Sequence, residues 1–231
     1  MKFGWKSLWL IAGLAIHVLP AAETVFFHTE DGARIEAEMS GGGEHGVVLA
    51  HGGQFTKESW DDQVPVLNAA GFRTLAINFR GRGQSSLAPN DLPPGPGGGL
   101  YPVRFSPHHR DVLAAVEFLR KQGCVRVSVV GGSIGGGAAA TAAGKIKEGK
   151  ISGVVLLAAT PIKSIAEAKG SKLFVTTEGD NLTAITDQFE AAAGPKEMLV
   201  LKGRAHAQHV FATPQGEELI RAIVTFLKSV E

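Results

Sequence analysis

The sequence predicts an α/β fold: a mostly parallel sheet of about eight strands with helices on both faces. Three observations carry that prediction. Short apolar runs rich in β-branched residues alternate with longer segments of helical periodicity along nearly the whole chain, the order that builds βαβ units. Runs such as Val47-Val48-Leu49-Ala50 are apolar without alternation, as strands covered on both faces are. Reactive side chains follow the ends of several runs, and open parallel sheets place their sites at the carboxyl ends of strands.

At 231 residues with 44% hydrophobic content the chain suffices for one such domain, assigned to 23–231, and it shows no internal repeat. Residues 1–22 are set apart. Lys2 and Lys6 precede an apolar run from Leu8 to Leu19 that ends in Pro20-Ala21-Ala22, the order of a secretory signal peptide. The run is short for a membrane span. The cleavage position stays open, because Pro20 or Leu19 would stand three residues before the cut, and an uncleaved N-terminal anchor is the alternative. The expectation is a secreted or periplasmic protein with no stable membrane association after the signal is removed.

Without Lys2 and Lys6, 21 basic residues face 22 acidic ones, and the formal net charge moves from +1 to −1. That balance, with no basic stripe carrying interleaved aromatics, excludes the electrostatic footprint of a phosphate-backbone binder, so no nucleic-acid partner is expected. The single Cys124 excludes an intramolecular disulfide. Just ahead of a strand, it reads as a small buried apolar side chain.

After the leader, Thr24 to Thr29 and Ala33 to Met39 read as a hairpin turning at Glu30-Asp31-Gly32. The strand Val47 to Ala50 ends in His51-Gly52-Gly53-Gln54. A helix is predicted from about Ser59, its N-cap, to Ala70, stopped by Gly71. The strand Arg73 to Phe79 leads into a loop from Arg80 to Phe105, rich in proline and glycine, of a length usually tied to function or disorder. A helix follows from Ser106 or Pro107 to Gln122, with Val112, Ala115, Val116 and Leu119 at helical spacing and Gly123 as its stop. His108 and His109, near its start, read as surface residues. Further strands are expected at Ile151 to Ala158, Lys172 to Thr176 and Glu197 to Leu201. Helices are expected from about Leu182 to Ala193 and from Pro214 to Val230, the last with Leu219, Ile220, Ile223, Phe226 and Leu227 facing the core.

Between Val127 and Ala143 the chain reads as strand, sharp turn and helix, and Gly131-Gly132-Ser133-Ile134-Gly135 fits G-x-S-x-G. Glycines two residues either side let backbone pass close to a serine held in a strained conformation. The Ile134 N–H would stand at the positive end of the helix, aimed where negative charge develops in acyl transfer. A dinucleotide site fits poorly, since Ser133 stands where its second glycine should be and the turn lies mid-chain.

A serine nucleophile needs a histidine base and a carboxylate that fixes the histidine's tautomer. The strand from Lys172 ends in Thr177-Glu178-Gly179-Asp180, and the strand from Glu197 ends in Lys202-Gly203-Arg204-Ala205-His206, giving Ser, Asp and His in that order on three strand ends. From about Thr24 onward the chain resembles the α/β-hydrolase fold family: His51-Gly52 after a strand, Arg80-Gly81-Arg82-Gly83-Gln84-Ser85 after the next, the Gly131 to Gly135 elbow, Asp180, and Gly203 to His206. The resemblance implies Ser133 as nucleophile, His206 as base and Asp180 as its orienter. It also implies an oxyanion hole made of the backbone N–H of Ile134 and that of Gly53, with Gln54 next in order. Glu178 and His209 are the alternatives to Asp180 and His206. His51 is read as packing beneath the oxyanion loop, and Arg80 and Arg82 as holding loop backbone.

The expected function is a serine hydrolase that cleaves a small-molecule carboxylic ester through an acyl-enzyme. Other acyl bonds (thioester, lactone, peptide) and a non-catalytic binding protein on the same scaffold are the alternatives. No cofactor is expected, and no metal, because no histidine and carboxylate set has ligand spacing. Only Ala159 to Ser171 is available for a cap, so an open, capless site is predicted, its rim partly formed by the loop from Arg80 to Phe105.

Overall fold

The computed structural model describes residues 21–92, 107–146 and 150–230. Residues 1–20 of the leader expected over 1–22, and residues 93–105 of the long loop, lie outside the described residues. Eight strands form one sheet: β1 (Glu23–His28), β2 (Arg34–Ser40), β3 (His45–Ala50), β4 (Arg73–Ile77), β5 (Arg126–Gly132), β6 (Gly153–Leu157), β7 (Ser171–Thr177) and β8 (Lys196–Leu201). Their spatial order is β1-β2-β4-β3-β5-β6-β7-β8. β1 pairs with β2, and β2 with β4, antiparallel, whereas every pairing from β4 through β8 is parallel. The helices are α1 (Val64–Ala69), α2 (His108–Lys121), α3 (Ile134–Lys145), α4 (Leu182–Ala191) and α5 (Gly216–Ser229).

The unalternating strands make two cores, because successive side chains leave a strand on opposite faces. Val48 and Ala50 join Val127, Val129, Val154, Leu156 and Phe174 beneath α2, α3 and α4. Val47 and Leu49 join Val130, Val155, Leu173 and Val175 against Leu67 of α1 and Leu219, Ile223, Phe226 and Leu227 of α5. Cys124 is buried, as its position ahead of β5 suggested.

Two expectations need correction. The predicted helix from Ser59 to Ala70 is a 3₁₀ turn over Lys57–Trp60 followed by α1 alone. Pro65 has no N–H and is accommodated only in a helix's first turn, so the helix starts just ahead of it, and the Ser59 hydroxyl donates to the Thr56 carbonyl at 2.7 Å instead of capping. His108 is not on the surface. It is 1% exposed, packed against Phe79 with ring centroids 4.9 Å apart, because the first turn of α2 sits on the end of β4; His109 is half-buried.

The order reverses around β3: the chain steps to β4 on one side and then to β5 on the other, so the carboxyl ends of β3 and β5 flank the switch point where open α/β sheets bind ligands. The turn after β4 is fixed there by Arg80, itself 1% exposed. Its Nε and Nη2 donate to Asp111 Oδ1 at 2.8 and 2.6 Å, and its Nη1 donates to Asp31 Oδ2 at 2.8 Å and to both Asp91 oxygens at 3.0 Å. One guanidinium therefore ties the β1-β2 turn, the stem of the long loop and α2 to the end of β4.

Burial holds three imidazoles neutral, His45 and His51 down to about 4 and His108 to about 3, helped by Arg126, Arg82 and Arg80 respectively. Below about pH 6.5 the unfolded chain takes up protons that the folded rings refuse, so stability falls as the pH drops toward 4 and this contribution levels off once the folded rings protonate. The thermal midpoint is expected to fall between about pH 7 and 5, ahead of most carboxylate titration. A midpoint flat across that interval in a thermal melt series would contradict neutral buried rings.

Candidate active site

The carboxyl ends of β3, β5, β7 and β8 carry the residues singled out in the sequence. Ser133 follows β5 directly with φ 52° and ψ −113°, a conformation few residues other than glycine adopt. Three backbone hydrogen bonds hold it there: its N–H donates to the Leu157 carbonyl at 2.9 Å, and its own carbonyl accepts from Gly137 at 3.1 Å and Thr160 at 3.0 Å. The small residues of α3 let that helix enter close to the sheet. A Cβ on Gly135 would collide with the Ala50 carbonyl oxygen and lie 2.7 Å from that of His51, and one on Gly131 would lie 2.5 Å from the Gly135 carbonyl. The Ile134 N–H, first in α3, has no intrahelical acceptor.

The loop after β3, where an oxyanion hole is expected, is clamped peptide by peptide. The Gly52 N–H donates to Gln208 Oε1 at 2.6 Å. The Gly52 carbonyl accepts from His51 Nδ1 at 2.7 Å and from the Phe55 N–H at 3.0 Å. The Gly53 carbonyl accepts from Arg82 Nη2 at 2.6 Å. Since C=O and N–H point oppositely across a trans peptide, the N–H of Gly53 faces away from the His51 ring, and the N–H of Gln54 faces away from Arg82. Neither N–H has an acceptor among the described residues. The loop lies against the elbow, for a Cβ on Gly53 would stand 2.7 Å from Ile134 Cδ1. His51 is 0% exposed; it donates from Nδ1, accepts the Phe79 N–H at Nε2 over 3.2 Å, and packs edge-on against Phe79. It is a neutral strut beneath the loop.

Asp180 and His206 meet. His206 Nδ1 lies 2.7 Å from Asp180 Oδ2, with the Asp180 side chain 12% exposed and that of His206 41%. The carboxylate only accepts, so Nδ1 carries a proton toward it, and in the neutral imidazole Nε2 is then the acceptor. Backbone and hydroxyl bonds lace the two loops together: Glu178 N–H donates to the Leu201 carbonyl at 2.9 Å, Gly179 N–H to that of Gly203 at 2.8 Å, and Thr177 Oγ1 to that of Ala205 at 3.2 Å. Thr176 Oγ1 also donates to the Asp180 carbonyl at 2.6 Å. The alternatives stand apart from this pair. Glu178 is exposed, and the exposed His209 packs on Phe55 with centroids 5.0 Å apart.

The turn at Ser133, the Asp180-paired His206 and the backbone N–H groups of the β3 loop lie at the carboxyl-end edge of one sheet, and a family model described as "Alpha/beta hydrolase family" matches residues 47–225. The chain belongs to the alpha/beta hydrolase family. Among solved structures, an esterase from Pyrococcus furiosus superposes with a TM-score of 0.74 at 18% identity, covering 91% of this chain and 93% of that one. An esterase from Exiguobacterium antarcticum gives 0.71 at 16%, covering 90% and 100%, and a dienelactone hydrolase from Anabaena variabilis gives 0.75 at 19%, covering 91% and 98%. A non-heme chloroperoxidase from Streptomyces lividans is 30% identical over 135 residues, 57% of this chain. That match spans only 44% of the chloroperoxidase's length.

In this alpha/beta hydrolase the segment between β6 and β7 holds a 3₁₀ turn over Lys163–Glu167 and no helical cap. Beside the oxyanion loop lies a cavity of about 530 Å³ whose walls include Gln54, Phe55, Gln63, Gln208, His209 and Phe211. Among the described residues no group of three or more His, Cys, Asp or Glu side chains could hold a metal ion. Sequence reasoning passed over Gln208. Its one visible signal is its place two residues after His206, and its contacts with Gly52, 156 residues earlier in the chain, have no local signature.

Gly135→Ala is expected to destabilise the protein by about 2 to 3 kcal/mol or more, because backbone carbonyls cannot yield as a side chain would. In a chain of this size that lowers the thermal midpoint by roughly 5 to 10 °C. A variant that melts with the wild type would refute the close approach of α3 to β3.

Proposed function

We propose that this hydrolase cleaves carboxylic esters through an acyl-enzyme with Ser133 as nucleophile. The observation that carries the reading is the 2.7 Å pair of His206 Nδ1 and Asp180 Oδ2, which leaves Nε2 unprotonated on the strand-end face that bears Ser133. His206 Nε2 takes the proton as Ser133 Oγ attacks the ester carbonyl, and returns it to the leaving alcohol. Asp180 holds the tautomer and balances the imidazolium charge. The N–H of Ile134, with that of Gly53 or Gln54, receives the oxyanion, and because their planes are already fixed they need no reorganisation at the moment of reaction. Water then attacks the acyl-enzyme with His206 again as base, releasing the acid. Two of the structural neighbours are esterases, which supports an ester substrate, and the dienelactone hydrolase among them keeps a lactone as the second reading. The signal-like order of Lys2, Lys6 and the run Leu8 to Leu19 supports export of the chain, with a small-molecule ester as its partner.

Labelling with a fluorophosphonate, which reacts only with an activated serine, tests the assignment. A single adduct on Ser133 is expected by peptide mapping, absent in Ser133→Ala and in His206→Ala. Asp180→Asn is expected to lower kcat by about four orders of magnitude, as loss of the correct tautomer does in serine hydrolases. An unlabelled, folded wild type, or esterase activity surviving in Ser133→Ala, would sink the reading. A panel of matched ester, thioester, lactone and peptide substrates separates the acyl bonds, and a preference outside the ester would move the assignment to that bond.

A further inference from the structure

We propose that Gln208 is a positioning residue that holds the oxyanion loop in register with the nucleophile and the base. The inference rests on the ester-hydrolase reading and assigns a role that reading does not use. Gln208 is 6% exposed and sits on the histidine loop two residues after His206, where Ala207 takes a left-handed φ of 49° to turn its successor inward. Its carboxamide makes two short bonds. Oε1 accepts the Gly52 N–H at 2.6 Å, and Nε2 donates to Ser59 Oγ at 2.5 Å. The Ser59 hydroxyl in turn donates to the Thr56 carbonyl at 2.7 Å. Amide orientation is forced, because a backbone N–H needs an oxygen opposite it and Ser59 has already given its proton to Thr56.

The same side chain lies over the elbow. A Cβ on Gly132 would stand 2.7 Å from Gln208 Oε1, and one on Gly52 3.2 Å from it. One carboxamide therefore touches the residue before Ser133, the loop that carries the free N–H groups of Gly53 and Gln54, and the segment that carries His206. Arg82 holds the far end of that loop through the Gly53 carbonyl, and Gln208 holds the near end through the Gly52 N–H. With the near end released, the His51-Gly52 peptide can rotate; the Gly52-Gly53 peptide that follows keeps its bonds to His51 Nδ1 and the Phe55 N–H but is carried along by the shift of Gly52, and its N–H no longer stands at hydrogen-bond distance from the oxyanion. A ground-state ester carbonyl depends weakly on that contact, and the tetrahedral oxyanion depends on it strongly.

The expected signature is a loss in kcat without a matching change in KM. Gln208→Leu keeps the volume and removes both bonds. Since loss of a whole oxyanion donor costs about 100- to 1,000-fold, displacement of one is expected to lower kcat by about 10- to 100-fold with KM within about twofold. A boronic acid analogue of the tetrahedral intermediate should lose affinity by the same factor as kcat/KM, whereas the profile of kcat/KM against pH keeps its shape because His206 and Asp180 are untouched. Gln208→Glu keeps an acceptor for the Gly52 N–H and is expected to recover most of the lost rate. A merely structural role predicts instead a lowered melting temperature with kcat per folded molecule unchanged. Wild-type kcat in Gln208→Leu overturns the proposal, as does a boronic acid affinity that stays put while kcat falls. If Gln208→Leu does not fold at the assay temperature, Ser59→Ala decides: it removes the Nε2 anchor, together with the local Ser59–Thr56 bond, and leaves the Oε1 bond to Gly52 in place; a smaller fall in kcat at constant KM supports the proposal, whereas unchanged kinetics overturns it. Labelling of Ser133 in the wild type separates the two readings. No adduct there defeats the hydrolase assignment itself, and a normal adduct with unaffected Gln208 variants defeats this inference alone.

Discussion

The constraint on which the strand-end loops depend is the contact of Gly135 with the carbonyl oxygens of Ala50 and His51 at the end of β3. No side chain fits between them. That approach brings the first turn of α3, and with it Ser133 and the Ile134 N–H, level with the loop that leaves β3 at His51. Were α3 displaced by the width of a methyl group, the two sources of backbone N–H would no longer point into one space. The run Ala138-Ala139-Ala140, with Ala142 and Ala143, is the same constraint continued along the helix. These residues are buried at 0 to 1% exposure, so the helix lies near the sheet over its whole length.

Around that contact the strand ends are held by one another more than by their own strands. The β7 and β8 loops exchange backbone bonds, the β3 loop is gripped by Arg82 from the β4 turn and by Gln208 from the β8 loop, and the β5 elbow donates to the end of β6. Among the described residues, each left-handed residue other than glycine, namely Ser133, Ala158, Asn181 and Ala207, stands in or beside this lattice of loops. The unfavourable backbone sits where the surrounding bonds are dense enough to hold it, as is common at functional sites.

Much of the fold was legible because its signals are local. A covered strand such as Val47 to Ala50 announces itself by composition, and the elbow by five residues in a row. Asp180 and His206 were singled out by their places just past strands, and the structure brings these two together and leaves Glu178 and His209 outside the pair. What stayed hidden depends on distant partners. His108 looked exposed because the sequence does not show that Phe79, 29 positions earlier, would cover it. The helix from Ser59 was overdrawn because periodicity outweighed Pro65, whose missing N–H decides where a helix can begin. Gln208 resembles any polar residue in a late loop until its two partners are known. Arg82 was read as a backbone holder, but which backbone it holds could not be seen.

The Arg80 guanidinium binds Asp91, just before the stretch at 93–106, and Asp111, one turn into the helix that follows it. Both ends of that stretch are thus pinned to a single buried cation. The entropy of closing a loop grows only with the logarithm of its length, so the chain between the two anchors can lengthen, shorten or change composition at little cost to the sheet. For a family whose members share a scaffold and differ in what they accept, this gives evolution two fixed anchors between which the sequence can be exchanged. It can be rewritten while the eight-stranded frame stays as it is.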